Sequence, residues 1–157
     1  MKISLAPMTA AAYASFKAYS IADFAEQMQR TGQWPSDQAP ALAAHSFAEV
    51  LPEGLLTPGH YLFEIQDLTL GESVGAIWVG VVEEQLREGF VFDLVIHESF
   101  RRQGYAQLAM LQVEAFFKTL NVSSIALEVY ADNVGARRLY DELGYQVTSQ
   151  SMRKSLE

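Results

Sequence analysis

The chain has 157 residues, half of them hydrophobic, no cysteine and a net charge of −8. That is enough for one domain with a real core, and it excludes a disulfide framework, a thiolate nucleophile and a zinc–thiolate site. Residues 1–100 carry four Lys/Arg against thirteen Asp/Glu, and residues 101–157 seven against six; this argues against a nucleic-acid surface and suits either solubility or a cationic partner such as a protonated amine.

Lys2 to Pro7 alternates and reads as a first strand, with no long apolar core of the signal-peptide kind. No run reaches membrane-span length, so a cytoplasmic protein is expected. Thr9 is placed to cap a helix through Tyr13, Phe16, Ile21, Phe24 and Met28, which the segment 31–35 breaks. Ser36 or Asp37 would cap a second helix through Leu42, Ala43, Phe47 and Val50. A loop with two prolines and two glycines, 52–59, leads into a strand at 61–65. A connection at 67–73, a strand at 74–82 and a polar hairpin turn at 83–89 follow, then an apolar strand, Phe90 to Ile96. Beyond it lie a loop of small and basic residues, Arg101–Ala106, and a helical pattern from Gln107 to Leu120. A strand-like run, Ser124 to Tyr130, precedes a helix with Asp132 or Asn133 as its cap. Ala136, Leu139, Tyr140 and Leu143 are spaced along that helix, and Gly144 is placed to end it in a left-handed turn. Tyr145-Gln146-Val147 reads as a terminal strand.

No repeat or linker splits this order, so a single domain over residues 1–157 is expected. Antiparallel strands followed by strand–helix–strand–helix–strand predict an α+β fold: a mixed, mostly antiparallel central sheet flanked by helices, with residues 90–130 as its crossover unit. The two N-terminal helices are expected on one edge. A Gly-containing loop between a strand and a helix start is a layout in which backbone N–H groups wrap a phosphate, with Arg101 and Arg102 adding charge. An ordinary helix start with surface arginines is the plainer reading of the same residues.

Two clusters together carry a resemblance. Arg101, Gly104 and Ala106 fill the loop pattern Arg/Gln-x-x-Gly-x-Gly/Ala. Asn133, Ala136, Leu139-Tyr140 and Leu143-Gly144-Tyr145 fill a second pattern downstream. In order and spacing these resemble the GNAT superfamily of acyl-CoA N-acyltransferases, over roughly residues 60–154. The stretches Leu51–Gly54 and Thr57–His60 look similar to one bacterial subgroup of undefined substrate.

The resemblance implies acetyl-CoA as co-substrate, an amine acceptor (a small molecule or a protein amine) and direct attack of the amine in a ternary complex. It leaves a homodimer open. Arg102, Gln103, Gly104, Tyr105, Ala106 and Gln107 would hold the cofactor, mainly through backbone N–H groups, with Arg101 acting by charge or by bracing the loop. Leu94, Val95 and Ile96 would pair with the pantetheine arm as a further strand, one of their N–H groups facing the thioester oxygen. Tyr140 would protonate the leaving thiolate. Glu128 is the first candidate for the base, on a strand where alternation and burial would raise its pKa; Asp93 is the second and a water chain the third. Asn133 would bind the cofactor, cap the helix, or both. In the acceptor region Trp34, Tyr13 and Tyr19 line a pocket or simply pack. His45, His60 and His97 lack metal-ligand spacing, so no metal is expected, and Gly-x-Ser-x-Gly is absent. A non-catalytic acyl-CoA-binding module and a transferase for a longer acyl donor are the rival readings.

Overall fold

The computed structural model describes residues 1–83 and 85–157. They cluster into two compact units, residues 1–127 and residues 128–157. In the first, strands β1 (Ile3–Pro7), β2 (His60–Asp67), β3 (Glu72–Glu83), β4 (Glu88–Ile96) and β5 (Ser124–Leu127) lie side by side in that order. Every neighbouring pair is antiparallel except β4–β5, which is parallel. The expected mixed, mostly antiparallel sheet is therefore present. Of the turn expected at 83–89, residue 84 lies outside the described residues. Arg87, at the foot of β4, donates from Nε and Nη2 to the backbone and side-chain oxygens of Asn121 (2.7 and 2.8 Å), pinning the hairpin to the loop before β5.

Helix α1 (Ala10–Arg30) starts as its sequence suggests: the Thr9 hydroxyl accepts from the Ala12 N–H at 3.1 Å. Helix α2 (Ala39–Val50) starts later than Ser36 or Asp37 would place it. Its cap is Gln38, without a side-chain bond, and Pro40 occupies the first turn, where a missing N–H costs nothing. The two helices cover a face of the sheet rather than an edge. Phe16 and Phe47 pack with Met8 and Leu51 onto Leu62, Ala76 and Trp78 of β2 and β3. Helix α3 (Tyr105–Thr119) covers the opposite face: Phe116 meets the rings of Tyr61 and Phe63 edge-on, at 5.0 and 5.4 Å. It begins two residues ahead of the expected Gln107, because Gly104 in the left-handed region (φ +92°) is already its cap.

Close strand approach depends on Gly75 of β3. A Cβ there would run into the Val95 carbonyl oxygen and lie 3.1 Å from the Ile96 Cα, both backbone atoms of β4. Backbone cannot swing aside as a flexible side chain can, so Gly75→Ala is expected to lower stability by about 3 kcal/mol, the upper end of the usual range for an overpacked core site. A denaturant midpoint equal to that of the wild type would show that the two strands separate freely.

In the second unit, helix α4 (Val134–Glu142) is capped by Asn133, whose side chain accepts from the Ala136 N–H at 3.2 Å. The chain turns out of α4 at Gly144, with φ +89°, as the sequence suggests. The expected strand at Tyr145–Val147 is not formed. Residues 145–157 carry no regular element.

Candidate active site

Strand β4 changes register against β3. Trp78 pairs with Asp93 but Val79 pairs with Val91, so Phe92 is the extra residue of a bulge. On its other side β4 outruns β5, whose last partner is Val91, opposite Leu127. Residues 92–96 therefore extend beyond the paired part of that edge. The His97 N–H donates to the Val74 oxygen at 2.8 Å, so odd-numbered residues here turn their backbone toward β3. Alternation then turns Leu94 and Ile96 toward the open edge and Val95 away from it. Of the three residues expected along the pantetheine arm, Leu94 and Ile96 thus have outward backbone groups. The Ile96 oxygen is taken, accepting from Arg101 Nε at 2.9 Å.

That bond makes Arg101 a brace across the end of β4. Two further features shape the loop. Arg102 (φ +61°) and Gly104 (φ +92°) are left-handed on either side of Gln103, a backbone arrangement of the kind that forms an anion-binding concavity. Gln103 Nε2 donates to the Ser99 oxygen at 3.1 Å. The first intrahelical bond of α3 runs from the Leu108 N–H to the Gly104 oxygen, so the N–H groups of residues 105–107 lie ahead of it, at the positive end of the helix dipole. A Cβ on Gly104 would meet nothing within 4 Å. Tyr105 contributes backbone to this region, but its ring is buried beneath the loop.

Where α1 and α2 cover the sheet, two groups have raised pKa values, Asp93 of β4 and Tyr19 of α1. Asp93 is partly buried and accepts from the Ser20 hydroxyl of α1 at 3.0 Å. Burial pushes its carboxyl up to about 6, helped by the charge of Asp23 and opposed by the Ser20 hydroxyl and the Leu94 N–H. Burial together with the charges of Asp23 and Asp93 lifts the Tyr19 phenol to about 12, with Arg101 pulling the other way. Beside Asp93 stands an aromatic wall. Trp78 stacks on Phe92 at 4.6 Å, and Trp78 Nε1 donates to His60 Nδ1 at 3.0 Å. Burial holds the His60 imidazole below its ordinary pKa, which keeps Nδ1 an acceptor. Gly80 leaves room for this wall, since a Cβ there would press on both the His60 and Phe92 rings at 3.1 Å.

Other candidates fall differently. Glu128 was expected on a strand and buried; β5 stops at Leu127, and Glu128 is exposed. Asn133 spends its side-chain oxygen on the helix cap. Tyr140 lies on α4, its ring 5.7 Å from that of Tyr145. Trp34 packs edge-on against Phe24 and Tyr13 against Phe47, so both serve the helix layer, whereas Tyr19 stays in the electrostatic field of Asp93. His45 pairs with Glu49 along α2 at 3.0 Å, and His97 is exposed just past β4. Among the described residues no cluster of three His, Asp or Glu could hold a metal ion, and no helix is long and apolar enough to cross a membrane. The Ser20–Asp93 contact was invisible in the sequence because it joins residues 73 positions apart.

A mixed sheet opened along β4, with a braced glycine loop leading into the helix that follows, defines the acyltransferase class to which the sequence motifs point. The pattern that defines the acetyltransferase (GNAT) family matches residues 21–145, and the chain belongs to that family. Among proteins of known sequence it is 32% identical to the uncharacterized N-acetyltransferase YycN of Bacillus subtilis (strain 168), over 99% of this chain and all of that one. It is 30% identical to YdgE of the same organism, another uncharacterized N-acetyltransferase, over 99% of each chain. The crystal structure of Bacillus subtilis YycN superposes with a TM-score of 0.94 at 31% identity, covering 99% of both chains.

Proposed function

We propose that the protein is an acetyl-CoA-dependent N-acetyltransferase in which a primary amine attacks the thioester directly. The observation that carries this reading is the pairing, within one compact unit, of an open β4 edge with a braced loop of left-handed residues ahead of α3. In this reading the backbone N–H groups of residues 102–107 hold the pyrophosphate. The open edge at Leu94–Ile96 receives the pantetheine arm as an added strand, and one of the N–H groups of this stretch polarises the thioester carbonyl. Arg101 acts as a brace, and Asn133 belongs to the cap of α4.

For the base, the surroundings of Asp93 favour it over Glu128. A carboxyl near 6 is mostly charged at neutral pH, and it can take the proton that the amine nitrogen sheds as it bonds to the carbonyl carbon. The acceptor is then an amine that approaches across the Trp78–Phe92–His60 wall. As the amine adds to the carbonyl its proton passes to Asp93, the C–S bond breaks, and the thiolate takes a proton, the role that the family resemblance gives to Tyr140.

Thiol release from acetyl-CoA across a panel of amines tests the reading as a whole. Release that depends on both substrates is expected; acetyl-CoA binding without release for any amine would favour a non-catalytic module instead. For the acid, Tyr140→Phe is expected to lower kcat by about 100-fold, the low end of what one general acid contributes, while the Kd for acetyl-CoA changes less than about twofold. An unchanged kcat would remove Tyr140 from that step.

A further inference from the structure

Asp67 and Tyr105 form a buried contact that the chemistry above does not use. Asp67 is the last residue of β2 and Tyr105 the first of α3, directly after Gly104; both are about 3% exposed. The Tyr105 hydroxyl donates to Asp67 Oδ2 at 2.6 Å. Asp67 Oδ1 accepts from the Thr69 and Leu70 N–H groups of the following turn, at 2.7 and 2.9 Å. Both carboxylate oxygens are therefore occupied, and the anchor itself cannot rotate. The hydrogen bond from Tyr105 is the foremost reason that the Asp67 carboxyl sits below its ordinary range, with the turn N–H groups adding to it.

The position of this contact gives it a consequence beyond packing. The other bonds that shape the loop are local: Arg101 reaches five residues back and Gln103 four. The Tyr105–Asp67 bond spans 38 residues and ties the first turn of α3 to the far end of a neighbouring strand. The Tyr105 ring also meets Phe100 edge-on at 6.0 Å, so the two ends of the loop are in contact through their rings. The donors this turn presents are backbone N–H groups, fixed in place by the helix start rather than by any rotamer. A small displacement of that start moves all of them together.

We propose that Asp67 and Tyr105 are positioning residues for the acyl donor, holding the start of α3 where its N–H groups meet the CoA pyrophosphate; this rests on the donor-site reading above. Tyr105→Phe keeps the ring and removes the tether. It is expected to raise the Kd and KM for acetyl-CoA roughly five- to twentyfold, with the loss falling on KM rather than kcat. Asp67→Asn still accepts from the two turn N–H groups and still meets the Tyr105 hydroxyl, so it should fall between wild type and Tyr105→Phe. The double variant should be no weaker than Tyr105→Phe alone, because both changes act through one bond. A lowered Tm with wild-type Kd and KM in both single variants would make the pair purely structural and overturn the proposal. Gly104→Glu, measured beside them, separates the two readings: if it weakens binding while Tyr105→Phe does not, the tether alone is wrong. If the wild type itself binds no acetyl-CoA, the donor site and the tether fall together.

Discussion

Gly104→Glu is expected to weaken acetyl-CoA binding by about 100-fold or more while leaving the protein folded. Gly104 holds φ +92° at the cap of α3, where any side chain carries a strain of about 1 kcal/mol. A Cβ there meets nothing within 4 Å, so the substitution creates no clash in the protein itself. The loss comes instead from what must occupy that open space. A carboxylate placed about 4 Å from a phosphate is opposed by about 4 kcal/mol per charge at an effective dielectric near 20, and salt reduces this to a residue still worth two powers of ten. Gly104→Ala separates the causes, since it carries the backbone strain without the charge and should lose only several-fold. Calorimetric titration with acetyl-CoA reads both variants. Equal affinity for Gly104→Glu and wild type would sink the assignment of this loop to the pyrophosphate.

Asp93→Asn is expected to cut kcat/KM by about 100–1,000-fold and, unusually for a partly buried position, to raise stability. Asp93 must be charged to accept a proton, so the wild-type rate should fall as the pH drops below about 6. That acid limb should vanish in the variant and persist in Glu128→Gln. If Glu128→Gln removes the limb instead, Glu128 is the base despite its exposure. Stability follows the opposite sign. Folding raises this carboxyl from its ordinary value to about 6, so the folded state favours the neutral form. The wild type then loses stability as the pH rises from about 4 through about 6, a difference of roughly 3 kcal/mol between the two protonation states. Asn keeps the shape and the Ser20 contact without the charge, so above pH 7 it should be the more stable protein by about 1–2 kcal/mol. Denaturant unfolding at pH 5 and pH 8 would check this; a gap between the two proteins that does not widen with pH would show that Asp93 is solvated in the folded state.

Local signals were legible before any coordinates. Thr9 and Asn133 cap the helices they precede, and Gly144 turns the chain out of α4, because a cap depends on residues within one turn of it. The loop motif was legible for the same reason: its glycine and its neighbours are adjacent in sequence. Errors arose at one local start signal and where a strand partner elsewhere in the chain decided. Pro40 inside the first turn, rather than the capping side chains before it, set the start of α2. Alternation carried the fifth strand on to Tyr130, but the ladder to β4 ends at Leu127, and Glu128 loses both its strand and its burial.

By itself the sequence determined the α+β class, the order of the strands and helices as far as α4, the family motifs and therefore the kind of donor to expect, since each follows from periodicity or from residues close together in the chain. Tertiary structure decided which titratable groups are perturbed and which loop atoms are held. Asp93 acquires its high pKa from burial beneath α1, and Tyr105 its anchor from Asp67 on β2. A pKa and a tether are properties of neighbours brought together by folding, and residues 73 or 38 positions apart leave no mark on each other until the sheet has formed. For the loop at 101–106 the division is plain: its small and basic residues are read from the sequence, and only the anchor of Tyr105 on Asp67 and the brace from Arg101 show how the loop is held.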